Sequence, residues 1–129
     1  ILNSKKITHC DIKEILPNQM VLDIGDKTIK IIKEIIINSN MILWNGPLGA
    51  FENKPFDYAT NEIANIISKN SKVLKIISIA GGGDTLAAIK KANAENGFTY
   101  ISVAGGAFIE WFEGKESPGL KALKANTIS

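Results

Sequence analysis

Four times along this chain a short apolar run closes on a glycine or a glycine-bearing loop, then gives way to a segment whose apolar residues recur three and four positions apart. The first unit is Met20-Val21-Leu22-Asp23-Ile24, closed by Gly25 and followed by Ile29, Ile32, Ile35 and Ile36. In the second, Met41-Ile42-Leu43-Trp44 passes through the loop from Asn45 to Glu52 into Ala59, Ile63, Ile66 and Ile67. The third runs from Val73-Leu74-Lys75-Ile76-Ile77 through Gly81-Gly82-Gly83 to Leu86 and Ile89. The fourth is Tyr100-Ile101-Ser102-Val103, then Ala104 to Ala107, then Ile109, Trp111 and Phe112. Apolar runs of this length suit buried strands, and the wider spacing marks one face of a helix. Helices are expected from about Asp26 to Asn38 and from about Asp84 to Ala94.

Strand-loop-helix units in series leave few arrangements open. Neighbouring strands must run parallel, with each helix crossing over the sheet. The expected fold class is therefore α/β: a parallel sheet of at least four strands with flanking helices, Rossmann-like and three-layered. Near-continuous apolar strands predict a sheet covered on both faces. Residues 1–19 read as irregular or edge structure with a turn at Pro17-Asn18, and Pro118 to Ser129 as a final short helix and a frayed end. At 129 residues the chain is one domain's worth, long enough to bury roughly two-thirds of its unfolded surface. It begins Ile1-Leu2-Asn3, as a piece of something longer would.

Composition excludes several partners. A net charge of +2 with no Lys/Arg run argues for neither nucleic acid nor a membrane surface. No apolar run approaches the ~18 residues of a spanning helix. A lone cysteine, Cys10, cannot build an intrachain disulfide framework and fits a reducing compartment, the cytoplasm by default. His9 beside Cys10 lacks further Cys or His partners for a metal site.

In an open α/β sheet the ligand sits beyond the carboxyl ends of the strands, where the glycine-bearing loops gather. The richest is Ser78-Ile79-Ala80-Gly81-Gly82-Gly83-Asp84-Thr85. Glycines let a backbone approach an anion closely, and the helix that follows aims free N–H groups and its positive dipole end at the same place. Asp84 beside a phosphate calls for a hard cation between them. The alternative is that Asp84 caps the helix and the glycines make a tight turn. Asp23, beside Gly25, is open to a ligand contact or a turn-forming role. No glycine stands at position 86 to complete a dinucleotide fingerprint, and no Gly-Lys-Ser/Thr forms a P-loop.

Several motifs in order carry a family resemblance: Trp44-Asn45-Gly46-Pro47-Leu48-Gly49-Ala50-Phe51-Glu52, Gly81-Gly82-Gly83-Asp84-Thr85, Gly105-Gly106-Ala107 with Glu110, Glu113-Gly114-Lys115 and Pro118-Gly119. With Leu22-Asp23-Ile24-Gly25 upstream, the stretch from about Cys10 to about Lys124 resembles the carboxyl-terminal nucleotide domain of phosphoglycerate kinases. That family interconverts 1,3-bisphosphoglycerate plus MgADP with 3-phosphoglycerate plus MgATP, a glycolytic reaction, in two domains that close over the reactants.

The resemblance implies specific roles. Glu52 would accept hydrogen bonds from the ribose, Pro47, Leu48 and Ala50 would wall the pocket, and Asn45 would reach toward the phosphates. Gly82, Gly83 and Thr85 would hold phosphate oxygens, and Asp84 would bind Mg²⁺, directly or through water. Gly105 and Gly106 would donate backbone N–H groups to the phosphoryl group in flight, where positioned donors count most. The family more often has Thr followed by three glycines where this chain reads Val103-Ala104-Gly105-Gly106. Surface charge or dipole support accounts for Glu110 and Glu113.

On this view residues 1–129 are a partial carboxyl-terminal nucleotide-binding domain, truncated at its amino-terminal side. The family's basic phosphoglycerate patch and its early lysine lie in regions the chain does not contain, and the full-length protein is expected to be a cytoplasmic monomer. A catalytically silent nucleotide-binding or structural remnant of such a kinase is the competing expectation.

Overall fold

The structure, a computed structural model, describes residues 7–115. After a 3₁₀ turn at Ile12–Glu14 the elements alternate: α1 (Asp26–Ile37), β1 (Met41–Asn45), α2 (Tyr58–Leu74), β2 (Ile77–Gly81), α3 (Gly83–Lys91), a 3₁₀ turn at Glu95–Gly97, β3 (Tyr100–Ser102) and α4 (Gly105–Phe112). The strands form one sheet in the order β1-β2-β3. Both pairings are parallel, with Met41 opposite Ile77 and Asn45 opposite Gly81, and with Ile79 opposite Tyr100. The α/β class and the parallel sheet expected from the sequence are therefore present. The short helix expected after Pro118 lies outside the described residues.

Local chemistry sets the helix ends. The last carbonyls of α1 are taken by side chains, Asn38 Nδ2 donating to Glu34 and Ser39 Oγ to Ile35. Helix α2 gains a distant cap: Asp23 Oδ2 accepts from the amide of Ala59 at 3.0 Å. A carboxylate at that end satisfies an orphan donor and meets the positive dipole end.

Several sequence expectations are corrected. Residues 20–24 form no strand, so the described sheet has three strands, not four or more. Leu22 spends its carbonyl on the amide of Ala50 at 2.8 Å, while Asp23 binds Ala59 and Ile24. Those bonds brace the following loop and leave no ladder partner for the run. The third strand also begins later than Val73. Helix α2 continues to Leu74, Lys75 turns left-handed at φ 55, and β2 starts at Ile77. Glycine usually takes that left-handed position, so a lysine there hides the helix end from a sequence reading.

The core lies between one face of the sheet and α1, α2 and α3. Trp44 and Ala80 pack there with Ile29, Ile36, Ala59, Ile63, Ala64, Ile67, Ile89 and Ala94. Ile67 and Ile89 are fully enclosed. Side chains alternate along a strand, so Met41, Leu43, Ile77 and Tyr100 point the other way. These remain 48%, 40%, 45% and 56% exposed. The sequence predicts coverage on both faces; among the described residues the second face is only partly covered. No described helix is long and apolar enough to cross a membrane.

Candidate functional site

The carboxyl ends of β1, β2 and β3 stand side by side because the strands are parallel and in register, Asn45 level with Gly81 and Gly81 level with Ser102. Each strand then releases a loop at the same rim. Parallel pairing alone brings residues 45, 82 and 105 together from three distant parts of the sequence.

Their contact is tight. A Cβ on Gly105 would stand 2.5 Å from Gly82 Cα and 2.9 Å from Asn45 Oδ1, and a Cβ on Gly82 only 3.2 Å from the same oxygen. Gly82 also has φ +101, a left-handed value that L side chains rarely adopt. Glycine at these two positions is thus a packing requirement. Gly83 and Gly106 differ, because a Cβ on either would meet nothing within 4 Å. They face open space at the starts of α3 and α4.

Hydrogen bonds decide which amides remain available. Gly82 N–H donates to the Ser102 carbonyl at 3.0 Å, linking the ends of β2 and β3. Its expected donation to phosphate is therefore taken up within the protein. Gly83, Asp84 and Thr85 occupy the first turn of α3, whose amides have no intrahelical acceptor. Thr85 is buried, and its hydroxyl oxygen accepts from the Gly46 amide at 2.7 Å. That bond ties the loop after β1 to the helix after β2. Asp84 is exposed, with no ion-pair partner among the described residues.

The loop between β1 and α2 is fixed at several points. Trp44 Nε1 donates to the Gly46 carbonyl at 2.6 Å, the Thr60 hydroxyl bonds both the amide and the carbonyl of Leu48, and Ala50 N–H reaches Leu22. Pro47 is half-buried and Glu52 exposed. Further along, Lys91 Nζ donates to the Phe51 carbonyl at 3.0 Å and pairs with Asp57 Oδ2 at 3.0 Å. The hydrogen bond from Lys91 holds the Asp57 carboxyl below the ordinary carboxylate range, outweighing the opposing effect of burial.

Asn45, Gly82, Thr85 and Gly105 are thus gathered at one point of the rim, with Gly83, Asp84 and Gly106 beside it. Glu52 sits apart, on the segment that Lys91 anchors at the far end of α3. Sequence reasoning missed Lys91, Asp57 and the capping role of Asp23. Lys91 had one signal: it follows Asp84 by seven positions, nearly two helical turns, and so shares its side of α3.

Magnesium is implied for such a site, and the donor set fits it. Among the described residues no three His, Cys, Asp or Glu side chains cluster to form a protein cage. One exposed carboxylate at a phosphate-type loop suits Mg²⁺, which takes one or two carboxylates and completes its shell with phosphates and water.

A shallow cavity of about 320 Å³ lies elsewhere, at the amino ends of the strands, lined by Ser71, Lys75, Ile77, Phe98 and Thr99 among others. It touches none of the residues just described. The carboxyl rim, with free helix amides and glycines facing space, has the better chemistry for a ligand despite its open form.

A family model described as phosphoglycerate kinase matches residues 2–115. A phosphoglycerate kinase of Cereibacter sphaeroides is 55% identical over 104 residues, covering 81% of this chain and 26% of that relative. The one from Novosphingobium aromaticivorans is 42% identical over 122 residues, covering 95% of this chain and 31% of its own. Among solved structures, the phosphoglycerate kinase of Coxiella burnetii superposes with a TM-score of 0.78 at 38% identity, covering 85% of this chain and 28% of that one. The chain spans about a quarter of the length of the Cereibacter sphaeroides relatives it matches.

Proposed function

This chain belongs to the phosphoglycerate kinase family, and we propose that it supplies the magnesium-nucleotide half of phosphoryl transfer between 1,3-bisphosphoglycerate and MgADP, giving 3-phosphoglycerate and MgATP. The observation that supports this reading most is the convergence of three βα loops on Asn45. Helices α3 and α4 both begin there, so two sets of unspent amides are available to one anion. Helix N-termini favour negative charge through their free N–H groups and their dipoles.

In this reading the first-turn amides of Gly83, Asp84 and Thr85 hold the nucleotide's phosphates. Gly82 serves by letting the backbones close up, since its own amide is engaged. Asp84 is the magnesium ligand, directly or through water. Bound magnesium supplies charge neutralisation between that carboxylate and the polyphosphate. Asn45 reaches the phosphates, Pro47 lines the base side, and Glu52 accepts from the ribose. Gly105 and Gly106 lie at the start of α4, where N–H donors would meet the charge that spreads over the transferring group's equatorial oxygens. Gly105 is buried and Gly106 exposed, so Gly106 is the nearer donor to solvent and ligand.

Phosphoryl transfer gains most of its rate from positioning both reactants. Residues 1–129 are read as a partial carboxyl-terminal domain, with the phosphoglycerate half in the remainder of a longer, cytoplasmic and monomeric enzyme. The chain alone is therefore expected to bind nucleotide without turning over phosphoglycerate. Wild-type turnover by these 129 residues in a coupled assay would overturn that division of labour.

Calorimetric titration tests the site. With Mg²⁺ present, Asp84→Ala should weaken ADP binding by about tenfold or more, the scale of a lost charged contact; without Mg²⁺ the change should stay within about twofold. Equal losses in both conditions would remove Asp84 from the metal site.

A further inference from the structure

Helix α3 carries charged side chains at both ends. Its first turn carries Asp84, and its last residue is Lys91. Seven residues separate them, about 10 Å along the axis and nearly in line on one side. The Lys91 side chain, 39% exposed, still reaches back to protein: Nζ lies 3.0 Å from the Phe51 carbonyl and 3.0 Å from Asp57 Oδ2. Both acceptors belong to the loop between β1 and α2, whose middle carries Glu52.

This ion pair differs from the two others among the described residues. Its carboxylate is only 8% exposed, whereas the acidic partners elsewhere are each 50% exposed. Among the described residues the Asn53 amide donates to Ala50 and the Phe56 amide to Asn53, both within or just ahead of the same segment. Those short-range bonds shape the segment without attaching it to the sheet. Lys91 attaches it to α3.

We propose that Lys91 is a positioning residue for the nucleotide: it holds the Phe51–Glu52 segment to α3 so that the ribose-binding carboxylate and the phosphate-binding helix start keep a fixed separation. The proposal rests on the nucleotide reading above. A lysine on a phosphate-site helix would ordinarily be assigned to phosphate itself. Here the helix places it at the opposite end from the anion, and two of its three donors go to protein oxygens. Its contribution to binding is pre-organisation: a loop already ordered loses less entropy when the ligand arrives.

The test compares two ligands of this chain, MgADP and magnesium pyrophosphate, by calorimetric titration. Pyrophosphate needs the helix start alone, and ADP needs the fixed separation as well. Lys91→Met should weaken MgADP by about tenfold while changing pyrophosphate by less than about twofold, and Lys91→Arg should restore most of the ADP affinity. In parallel, hydrogen exchange at Asn53 and Phe56 should accelerate in Lys91→Met, with the β2 amides of Ser78 and Ala80 unchanged. Equal weakening of both ligands would show a phosphate contact or general destabilisation and overturn the proposal. So would unaltered MgADP binding by Lys91→Met beside a wild-type chain that binds. A wild-type chain that binds neither ligand would overturn the nucleotide reading, and the proposal with it.

Discussion

The two faces of the sheet are made from the same three strands and behave as different materials. On one, Trp44, Ser78 and Ala80 are buried beneath α1, α2 and α3; on the other, Met41, Leu43, Ile77 and Tyr100 are about half-exposed. Both faces are rich in apolar atoms, so hydrophobicity does not separate them. What separates them among the described residues is that α1, α2 and α3 all pack on one of them. The covered face belongs to units whose loops are cross-bonded, through Asp23 to Ala59, Thr60 to Leu48 and Lys91 to Phe51.

Enclosed positions should therefore be far more sensitive than open ones. Ile67→Ala or Ile89→Ala should cost about 2 to 5 kcal/mol in denaturant unfolding, whereas Leu43→Ala should stay within about 0.5 kcal/mol. Comparable losses at Ile67 and Leu43 would mean that the second face is covered in solution. The same contrast predicts that the chain self-associates when produced alone, since an apolar patch of neighbouring strands is a docking surface. Sedimentation should show mass rising with concentration, and Leu43→Thr with Ile77→Thr should suppress it. A monodisperse wild-type monomer would break the comparison.

Smaller effects should follow the loop ties. Asp23→Ala removes the distant cap of α2 and should cost about 1 kcal/mol, read from the unfolding midpoint. The Asp57–Lys91 pair should matter less, because Lys91 is 39% exposed and solvent screens it; its contribution is expected below about 1 kcal/mol. Its pH dependence has a definite sign. The Asp57 carboxyl titrates below the ordinary aspartate value in the folded chain, held there by the hydrogen bond from Lys91, so this stability is present above the unfolded-chain value and is lost as pH falls through the folded one. Asp57→Asn should flatten the acid limb of the stability curve, and an unchanged limb would dismiss the pair as a stabilising contact.

Much of this organisation is legible in the residues themselves. Met41 to Trp44 and the helical spacing through Ile63, Ile66 and Ile67 declare strand and helix without structural help, and Gly83-Asp84 announces an anion-type helix start. The failures have identifiable causes. Met20 to Ile24 looks like a strand because apolar runs mark burial or bonding without saying which; here the bonds go to Ala50 and Ala59. Lys75 concealed a helix end because its left-handed turn is made without glycine. Thr85 carries no sign in the sequence of the bond its hydroxyl oxygen accepts from Gly46, thirty-nine positions away. Long-range polar ties of that kind leave no periodic trace; for Lys91 the spacing from Asp84 gives its side of α3 but not its partners Phe51 and Asp57.

The near-touch of Gly82 and Gly105 tells which letters of the fourth loop are free to drift. Ala104 is exposed, with its amide bonded to Ser102 Oγ, and nothing crowds Gly106. If positions 103 to 106 were randomised and survivors sorted for folding alone, diverse side chains should return everywhere except at 105, where two main chains pass too closely to admit a methyl group. The Val103-Ala104 spelling of this chain is then a permitted variant, written on the tolerant side of that crossing.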